Sequence, residues 1–461
     1  MLELLRRKAQ FLVALLAAGG CSCASAALTV GEDNRITLPG GEECVVNPEF
    51  TPSGEWMLYM QFIGALSPVS QEPMVDMFIV EHDPATGEFL AEPQLVGQST
   101  AGARPYLTED EDGRIVMAGI DISNGNETMT LYTADPEVSP LEFQKLGLEL
   151  EETEGECLRS VFPYTTGTES HLWWLQGDSC RPGDARYVEL RHAVVENDQV
   201  IAQGLVERQA WSPQCTGNCS VGFLPMDLTY ARWVLNVPSP ILLFGTAPNP
   251  LNFGTPGNQT RDITLNEYRP DLDLVTAVDA GDAIVKVAPF GYSETEMVAG
   301  IDDQSSLGFW QRTSPTGPYE LLQTFPIDFS QSSFDEPLPG QPVSEVASQE
   351  VFSLLLDDSL VNFAAFQLCE SALRCFQSGL GEIWIASLSE QYPQLEPISD
   401  NSVNDKTRNE PEPVVSPDQQ TAWVYYSAWP ENGLPTNSCN ELRRTKLSVA
   451  PAALFRDGFE L

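Results

Sequence analysis

Hydrophobic and polar positions alternate over short stretches of this chain, and long helical periods are scarce. The apolar runs, of which Glu55 to Met60 is typical, are a few residues long and are separated by Gly, Pro, Asn and Asp. Runs of this length between turn-forming residues are characteristic of β-strands. The 35 prolines and 34 glycines are spread along the chain and do not gather in one linker. The pattern therefore predicts an all-β protein without an internal domain boundary.

A strand, a tight turn and a second strand recur along the chain. The clearest copies begin at Pro48 and Pro413, and a third begins at Pro105 with an acidic insertion in its turn. In the first copy the turn is Pro52-Ser53-Gly54, where Pro fixes φ and Gly tolerates a positive φ. We interpret these copies as the first half of a structural repeat.

A later strand in each unit carries a large, mostly aromatic residue. These residues are Phe78, Tyr132, Tyr187, Trp310, Trp384 and Leu442. The intervals between them are 54, 55, 123, 74 and 58 residues, so one unit is hidden in the long interval, with strands expected at 231–237 and 241–245. Seven four-stranded units predict a single β-propeller, with six or eight blades as alternatives.

The two ends of the chain are expected to meet. The last unit lacks an outer strand, whereas residues 27–38 precede the first complete unit, so this N-terminal strand is predicted to close the last blade. A disulfide between Cys44 and Cys439 would then lock the ring. The remaining cysteines pair most simply with their neighbours, although spacing alone does not fix the connectivity; these candidate pairs are Cys157–Cys180, Cys215–Cys219 and Cys369–Cys375.

The repeat motif carries a family resemblance. Residues 48–60 and 409–427 resemble the strand–turn–strand unit of TolB-like and related WD-like propeller repeats. The resemblance implies a propeller fold and does not imply an activity.

Residues 1–26 have the features of a signal peptide. A basic start is followed by a short apolar run from Phe11 to Ala18 and by the small-residue site Ala24-Ser25-Ala26. We therefore expect export from a bacterial cell to the periplasm or the exterior, with the propeller at 27–450 and a short tail at 451–461. The alternative is a lipid anchor at Cys21, which follows a loose lipobox. No later segment is apolar enough to span a membrane.

Acidic residues outnumber basic ones by 66 to 24, which gives a formal net charge of -42. This charge argues against a nucleic-acid partner, because phosphates would be repelled. We attribute it mainly to a hydrated, salt-tolerant surface. The sequence does not indicate an oligomeric state.

The acidic insertion is the best candidate for a cation. Alternating carboxylates in Glu109 to Gly113 could place Asp110 and Asp112 around Ca²⁺, although an acidic hairpin turn explains the same residues. No other cofactor is expected. The histidines fall in separate units, and we expect surface or strand-end positions for them; they are His82, His171 and His192.

The favoured function is a non-catalytic scaffold that binds an unknown protein or glycan at one propeller face, so the interpretation leans away from an enzyme. The alternative is a carboxylate-dependent hydrolase of polysaccharide. For that alternative, the carboxylates considered are Asp110 and Asp112 beside Arg104-Pro105-Tyr106, or Asp271 and Asp273.

Overall fold

The computed structural model is built from β-strands and two single-turn 3₁₀ helices, Pro39–Gly41 and Ala101–Ala103. The residues that it describes are 28–123, 126–148, 157–177, 187–210, 231–235, 237–246, 264–280, 290–301, 306–333, 345–369, 381–400, 407–429 and 439–450.

Seven antiparallel sheets follow one another along the chain and form the blades of a propeller. The first strand is β1 (Leu28–Ile36). Blade 1 contains β2 (Val46–Phe50), β3 (Trp56–Leu66), β4 (Pro73–Asp83), β5 (Glu88–Phe89) and β6 (Gln94–Thr100), and blade 2 contains β7 (Tyr106–Glu109), β8 (Ile115–Ser123), β9 (Asn126–Ala134) and β10 (Gln144–Gly147). Blade 3 contains β11 (Cys157–Thr166), β12 (Glu169–Gly177), β13 (Tyr187–Glu196) and β14 (Gln199–Ala210), and blade 4 contains β15 (Arg232–Trp233), β16 (Leu242–Thr246), β17 (Thr264–Arg269) and β18 (Leu274–Ala277). Blade 5 contains β19 (Phe290–Ser293), β20 (Glu296–Ile301), β21 (Ser306–Gln311) and β22 (Glu320–Pro326), blade 6 contains β23 (Glu345–Leu356), β24 (Ser359–Cys369), β25 (Gly381–Ser387) and β26 (Leu395–Pro397), and blade 7 contains β27 (Thr407–Val415), β28 (Thr421–Trp429) and β29 (Glu441–Val449).

The seven-bladed propeller predicted from the sequence is confirmed, including the hidden unit between Tyr187 and Trp310, which is blade 4. The residues that mark the repeat all lie on the third strand of their blades. In blade 1 the outer position is divided, because β4 pairs with β6 over most of its length and with the short β5 at His82 and Asp83.

Each blade packs on the next through a buried apolar cluster. Trp174 lies between blades 2 and 3, Trp310 between blades 4 and 5, and Trp384 between blades 5 and 6, all with at most 1% of their surface exposed. A further cluster joins blade 7 to blade 1 around Tyr59 and Tyr425. Burial of apolar surface therefore continues around the whole ring.

The predicted closure of the ring is confirmed. Strand β1 pairs antiparallel with β29 and supplies the outer strand of blade 7. Cys44 and Cys439 form a disulfide, with their Cα atoms 4.6 Å apart. Closure is therefore both hydrogen-bonded and covalent.

A buried ion cluster lies in the same blade. The carboxylate of Asp33, on β1, accepts a hydrogen bond from Arg443 Nε at 2.6 Å and lies 3.6 Å from an Arg408 guanidinium nitrogen. The Asp33 and Arg408 side chains are 1% and 0% exposed. Two strands of blade 7 are thus tied to the closing strand by charge.

Several predictions fall on residues outside the described part of the chain. Cys157 and Cys369 are disulfide-bonded, whereas the partners proposed for them, Cys180 and Cys375, and the whole Cys215–Cys219 pair lie outside the described ranges. The signal peptide, Cys21 and the tail at 451–461 lie outside them as well. Within the described ranges, no helix is long and apolar enough to cross a membrane.

Candidate active site

The first strand of each blade lies nearest the axis of the ring. Strand β2 contacts β27 and β7, β7 contacts β11, and β23 contacts both β19 and β27. Side chains from five blades meet there and form what we call the axial cluster: Glu49, Arg104, Tyr106, Arg232, Glu350, Glu410 and Glu412.

A repeated backbone feature places three of these side chains. In blades 1, 2 and 7 a residue with left-handed backbone precedes a proline, and the residue after that proline belongs to the axial cluster. The left-handed residues are Asn47 (φ 51°), Arg104 (φ 44°) and Glu410 (φ 52°), and the residues after the prolines are Glu49, Tyr106 and Glu412.

Strand pairing is interrupted at two of these positions. The register of β2 shifts between Val46 and Glu49, and that of β27 shifts between Asn409 and Glu412. Bulges of this kind redirect a side chain out of the regular alternation. Non-glycine residues with positive φ are strained, and such strain concentrates at functional sites. The bulges are therefore consistent with a site built on the axis.

Glu350 and Arg232 form an ion pair that joins blades 4 and 6. The Arg232 guanidinium donates to the Glu350 carboxylate, and its Cζ lies 5.6 Å from the ring centre of Phe290 in blade 5. The two side chains remain 24% and 16% exposed. Burial raises the pKa of Glu350, and the adjacent Arg232 charge opposes that rise. The pairing thus favours the ionised form of Glu350.

Glu49 and Glu412 are in a different electrostatic setting. Burial raises the pKa of both carboxyls well above its ordinary value, and the charges of neighbouring glutamates raise it further; for Glu49 these are Glu410 and Glu350. Arg232 offsets only part of this effect. Carboxyls in such surroundings retain a proton toward neutral pH and can act as acids.

Neighbouring groups hold Glu49 in place. Its Oε1 accepts a hydrogen bond from Asn47 Nδ2 at 3.1 Å, and its carboxyl is hydrogen-bonded to Tyr106. The Tyr106 ring packs against Phe162 of blade 3, with the ring centres 3.7 Å apart. Burial also raises the pKa of the Tyr106 hydroxyl, followed by the charge of Glu49. Tyr106 therefore stays neutral and serves as a hydrogen-bond donor.

Two more ion pairs lie beside these groups. Arg104 is 3.8 Å from Glu410, and the guanidinium of Arg159, on β11, donates to Glu72 from the β3–β4 loop. The Glu72 carboxylate also accepts the backbone N–H of Gly102, where a Cβ would clash with it. Glycine at this position thus lets the loop and blade 3 meet just before Arg104.

The acidic insertion does not belong to the axial cluster. Asp110 lies in the turn between β7 and β8, where its carboxylate accepts bonds from the Asp112 and Arg114 backbone N–H groups and from Arg114 Nε at 3.0, 2.9 and 2.8 Å. Within the described ranges, no three His, Cys, Asp or Glu side chains are grouped as metal ligands. A calcium ion at Asp110 and Asp112 stays a prediction.

The second carboxylate pair considered from the sequence is also remote in the fold. Asp271 and Asp273 are exposed in the turn between β17 and β18, the two outer strands of blade 4. Of the groups proposed for a hydrolase, only Arg104 and Tyr106 lie in the axial cluster. The aspartates considered for a hydrolase therefore lie outside the axial cluster.

The expectation that the histidines fall in separate units at surface or strand-end positions was wrong for His171 and His192, whereas His82 lies near the end of β4. His171 and His192 lie on neighbouring strands of blade 3, with Nδ1 of the first 3.2 Å from Nε2 of the second, and both are buried. His82 is buried at the junction of blades 1 and 7, within hydrogen-bonding distance of the Gly54 carbonyl and the Tyr425 hydroxyl. Burial lowers the pKa of His82 to about 4 and that of His192 to about 3. These histidines are neutral core residues.

Sequence reasoning overlooked the glutamates and Arg232. In a chain with 66 acidic residues, single carboxylates do not stand out. A usable signal was present in the repeat itself, because three tripeptides stand at equivalent places at the first strand of their units: Asn47-Pro48-Glu49, Arg104-Pro105-Tyr106 and Glu410-Pro411-Glu412. Their alignment would have directed attention to the residue after each proline.

No protein-family model and no curated protein matches the chain, so the TolB-like resemblance stays a prediction. Similar solved structures include the Penicillium chrysogenum α-L-arabinanase complexed with arabinobiose, with a TM-score of 0.36, 9% identity, and coverage of 92% of this chain and 98% of that one. A mutant α-L-arabinofuranosidase of Fusarium graminearum has a TM-score of 0.39, 10% identity, and coverage of 92% and 98%. The Trypanosoma rangeli sialidase in complex with sialic acid has a TM-score of 0.38 and 7% identity, and the match covers 85% of this chain and 58% of the sialidase chain.

The expectation of a non-catalytic scaffold is corrected. The axis itself carries glutamates with raised pKa values and an arginine-paired glutamate. A scaffold with a flat, well-filled channel mouth would not require such groups.

Proposed function

We propose that the protein is a glycoside hydrolase that cleaves polysaccharide with its axial glutamates. The observation that carries the proposal is the meeting of Glu412, whose pKa is raised well above the ordinary value, with Glu350, which is paired to Arg232. Glycoside hydrolysis needs one carboxylic acid to protonate the leaving oxygen and one carboxylate to act as base or nucleophile.

The surroundings assign the two roles. Glu412 is the general acid, because burial and the charges of Glu49 and Glu350 favour its protonated form. It gives its proton to the glycosidic oxygen as the bond to the anomeric carbon breaks. Glu350 is the carboxylate, because Arg232 stabilises its charge. It either activates a water molecule or attacks the anomeric carbon. Glu49, held by Asn47 and Tyr106, keeps the pKa of Glu412 high.

We also propose that the enzyme acts outside the cytoplasm. The ring-closing Cys44–Cys439 disulfide supports this location, because disulfides persist in oxidising compartments. A substrate that is a polysaccharide is also consistent with an exported enzyme, because long polymers do not enter cells. Periplasmic or extracellular release and a lipid anchor at Cys21 are both compatible with the disulfide.

The test uses Glu350→Gln and Glu412→Gln in the full chain. We expect each variant to lose about 10²–10⁴-fold in release of reducing sugar from a panel of plant and bacterial polysaccharides, because each removes one half of the acid–base pair. The limbs of the wild-type pH profile report the same groups: activity falls at low pH as Glu350 is protonated and at high pH as Glu412 loses its proton.

Glu88→Gln is the matched control, because Glu88 is exposed on β5 and undergoes the same chemical change. It should retain wild-type rates. Thermal melting of all three variants separates a lost reaction from a lost fold. A wild-type protein that releases no sugar from any polysaccharide, or folded Glu350 and Glu412 variants with full activity, would contradict the proposal.

A further inference from the structure

Within the part of the chain that the structure describes, each arginine at or beside the axial cluster has a glutamate partner. Arg232 is paired with Glu350 and Arg159 with Glu72, and Arg104 lies 3.8 Å from Glu410. The partners come from different blades in each case, so the pairs are properties of the assembled ring. The positive charge that could recognise a substrate carboxylate is therefore compensated within the protein.

The remaining charge of the site is not positive. Glu49 and Glu412 add two further carboxyl groups to the three pairs, and the chain as a whole carries a formal net charge of -42. Among the described residues of the site, an anionic sugar would gain an arginine partner only by displacing a glutamate from that arginine. Displacement would leave a buried or half-buried carboxylate without its partner, which is strongly unfavourable.

We propose that the axial site takes an uncharged sugar at the point of cleavage and rejects sugars that carry a carboxylate. This inference rests on the proposed glycosidase function and narrows its substrate class. The three arginine–glutamate pairs carry the inference, and the net negative charge of the whole chain also opposes the binding of an anionic sugar. Recognition of the sugar then depends on hydrogen bonds to hydroxyl groups, from donors such as Tyr106 and the most exposed of the three arginines, Arg104, which is 42% exposed.

The first experiment compares matched polymers with the wild-type protein. Arabinan, galactan and xylan represent uncharged chains, and polygalacturonate, alginate and polysialic acid represent carboxylate-bearing chains. We expect hydrolysis of at least one uncharged polymer and rates about 100-fold lower on every anionic one, because binding a carboxylate would require a glutamate to give up its arginine. The difference should persist from about 50 mM to about 500 mM NaCl, because salt screens the distant charges but not the paired groups at the site.

The outcomes separate this inference from the function on which it rests. Hydrolysis of an anionic polymer at a rate equal to or above that of every uncharged one overturns the inference and leaves the glycosidase proposal standing. Loss of the preference at high salt also overturns it, because the net charge would then be the cause. An absence of both hydrolysis and binding on every polymer overturns the two proposals together.

The second experiment removes one glutamate partner. Glu410→Gln removes the carboxylate 3.8 Å from Arg104, and we expect the affinity of this variant for galacturonic acid oligomers, measured by calorimetry, to rise about tenfold over wild type. Glu72→Gln, which removes the carboxylate partner of Arg159, provides an independent variant if the first one does not fold. Glu43→Gln is the control, because it removes one carboxylate from the exposed Arg35–Glu43 pair on the closing strand and its connecting loop. An equal gain in the control, or no gain in either folded axial variant, overturns the inference.

Discussion

At the scale of single residues, the glutamates on the axis lie in surroundings that destabilise their ionised form, and this destabilisation can be used to recognise a site. Glu49 and Glu412 lie among other carboxyls in a desolvated setting, which raises the pKa of both. An ordinary surface glutamate avoids both burial and repulsion. These residues therefore store unfavourable electrostatic free energy in the folded state, as reacting groups in enzymes commonly do.

Glu412→Gln should therefore stabilise the folded protein, and the gain should grow with pH. Since the folded-state pKa of Glu412 is raised, its protonated form contributes stability fully below the pKa of an unfolded glutamate, about 4.3, and that contribution is lost as pH rises toward the folded value. Urea unfolding should show almost no difference from wild type at about pH 4 and a gain of about 1–2 kcal/mol at about pH 8. A variant that is less stable than wild type at pH 8 would refute this assignment.

At the scale of elements, blade 7 depends on a strand from the other end of the chain. Strand β1 completes the sheet by pairing with β29, and Asp33 on β1 accepts a charged hydrogen bond from Arg443 and lies beside Arg408. The register of β1 shifts between Val30 and Asp33. At this irregularity the Asp33 carboxylate lies in the protein interior, a position that strict alternation of side chains along the strand would not predict.

Asp33→Asn should weaken the closing strand. The substitution removes the Asp33 carboxylate from the buried Arg408 and Arg443 charges, and breaking a buried pair typically costs about 3–5 kcal/mol. Urea denaturation should show a lower midpoint, and hydrogen exchange should increase first in β1 and β29. Glu32→Gln, at an exposed position on the same strand, should change neither measurement. Equal protection of β1 in the Asp33 variant and the wild type would show that the ion cluster is dispensable.

At the scale of the whole molecule, the ring was predictable and the site was not. Blade number follows from local signals, since Phe78, Tyr132 and Trp384 each mark a strand within a few residues of its turn. The pairing of Cys44 with Cys439 followed from the incomplete last unit. In contrast, Arg232 and Glu350 are 118 positions apart, and only the arrangement of blades 4, 5 and 6 around the axis brings them together.

Removal of the disulfide should destabilise the entire ring. Cys44→Ser with Cys439→Ser opens a loop with a sequence separation of 395 residues, and the chain-entropy model assigns about 6 kcal/mol to a closure of this size. Differential scanning calorimetry should show a lower melting temperature and a faster loss of structure on heating. The single Cys44→Ser variant should behave like the double variant. An unchanged melting temperature would mean that strand pairing alone holds the ends together.

The closing strand also bears on the order of events during synthesis. Glu49 belongs to the first blade and Glu412 to the last, and the two blades become neighbours only once β29 has been made and β1 has paired with it. A nascent chain that lacks its final strands therefore has every early blade but does not yet place Glu49 beside Glu412. The surroundings that raise the pKa of Glu412 would be complete only at the end of folding, and a product truncated before blade 7 would lack them even where its other blades are intact.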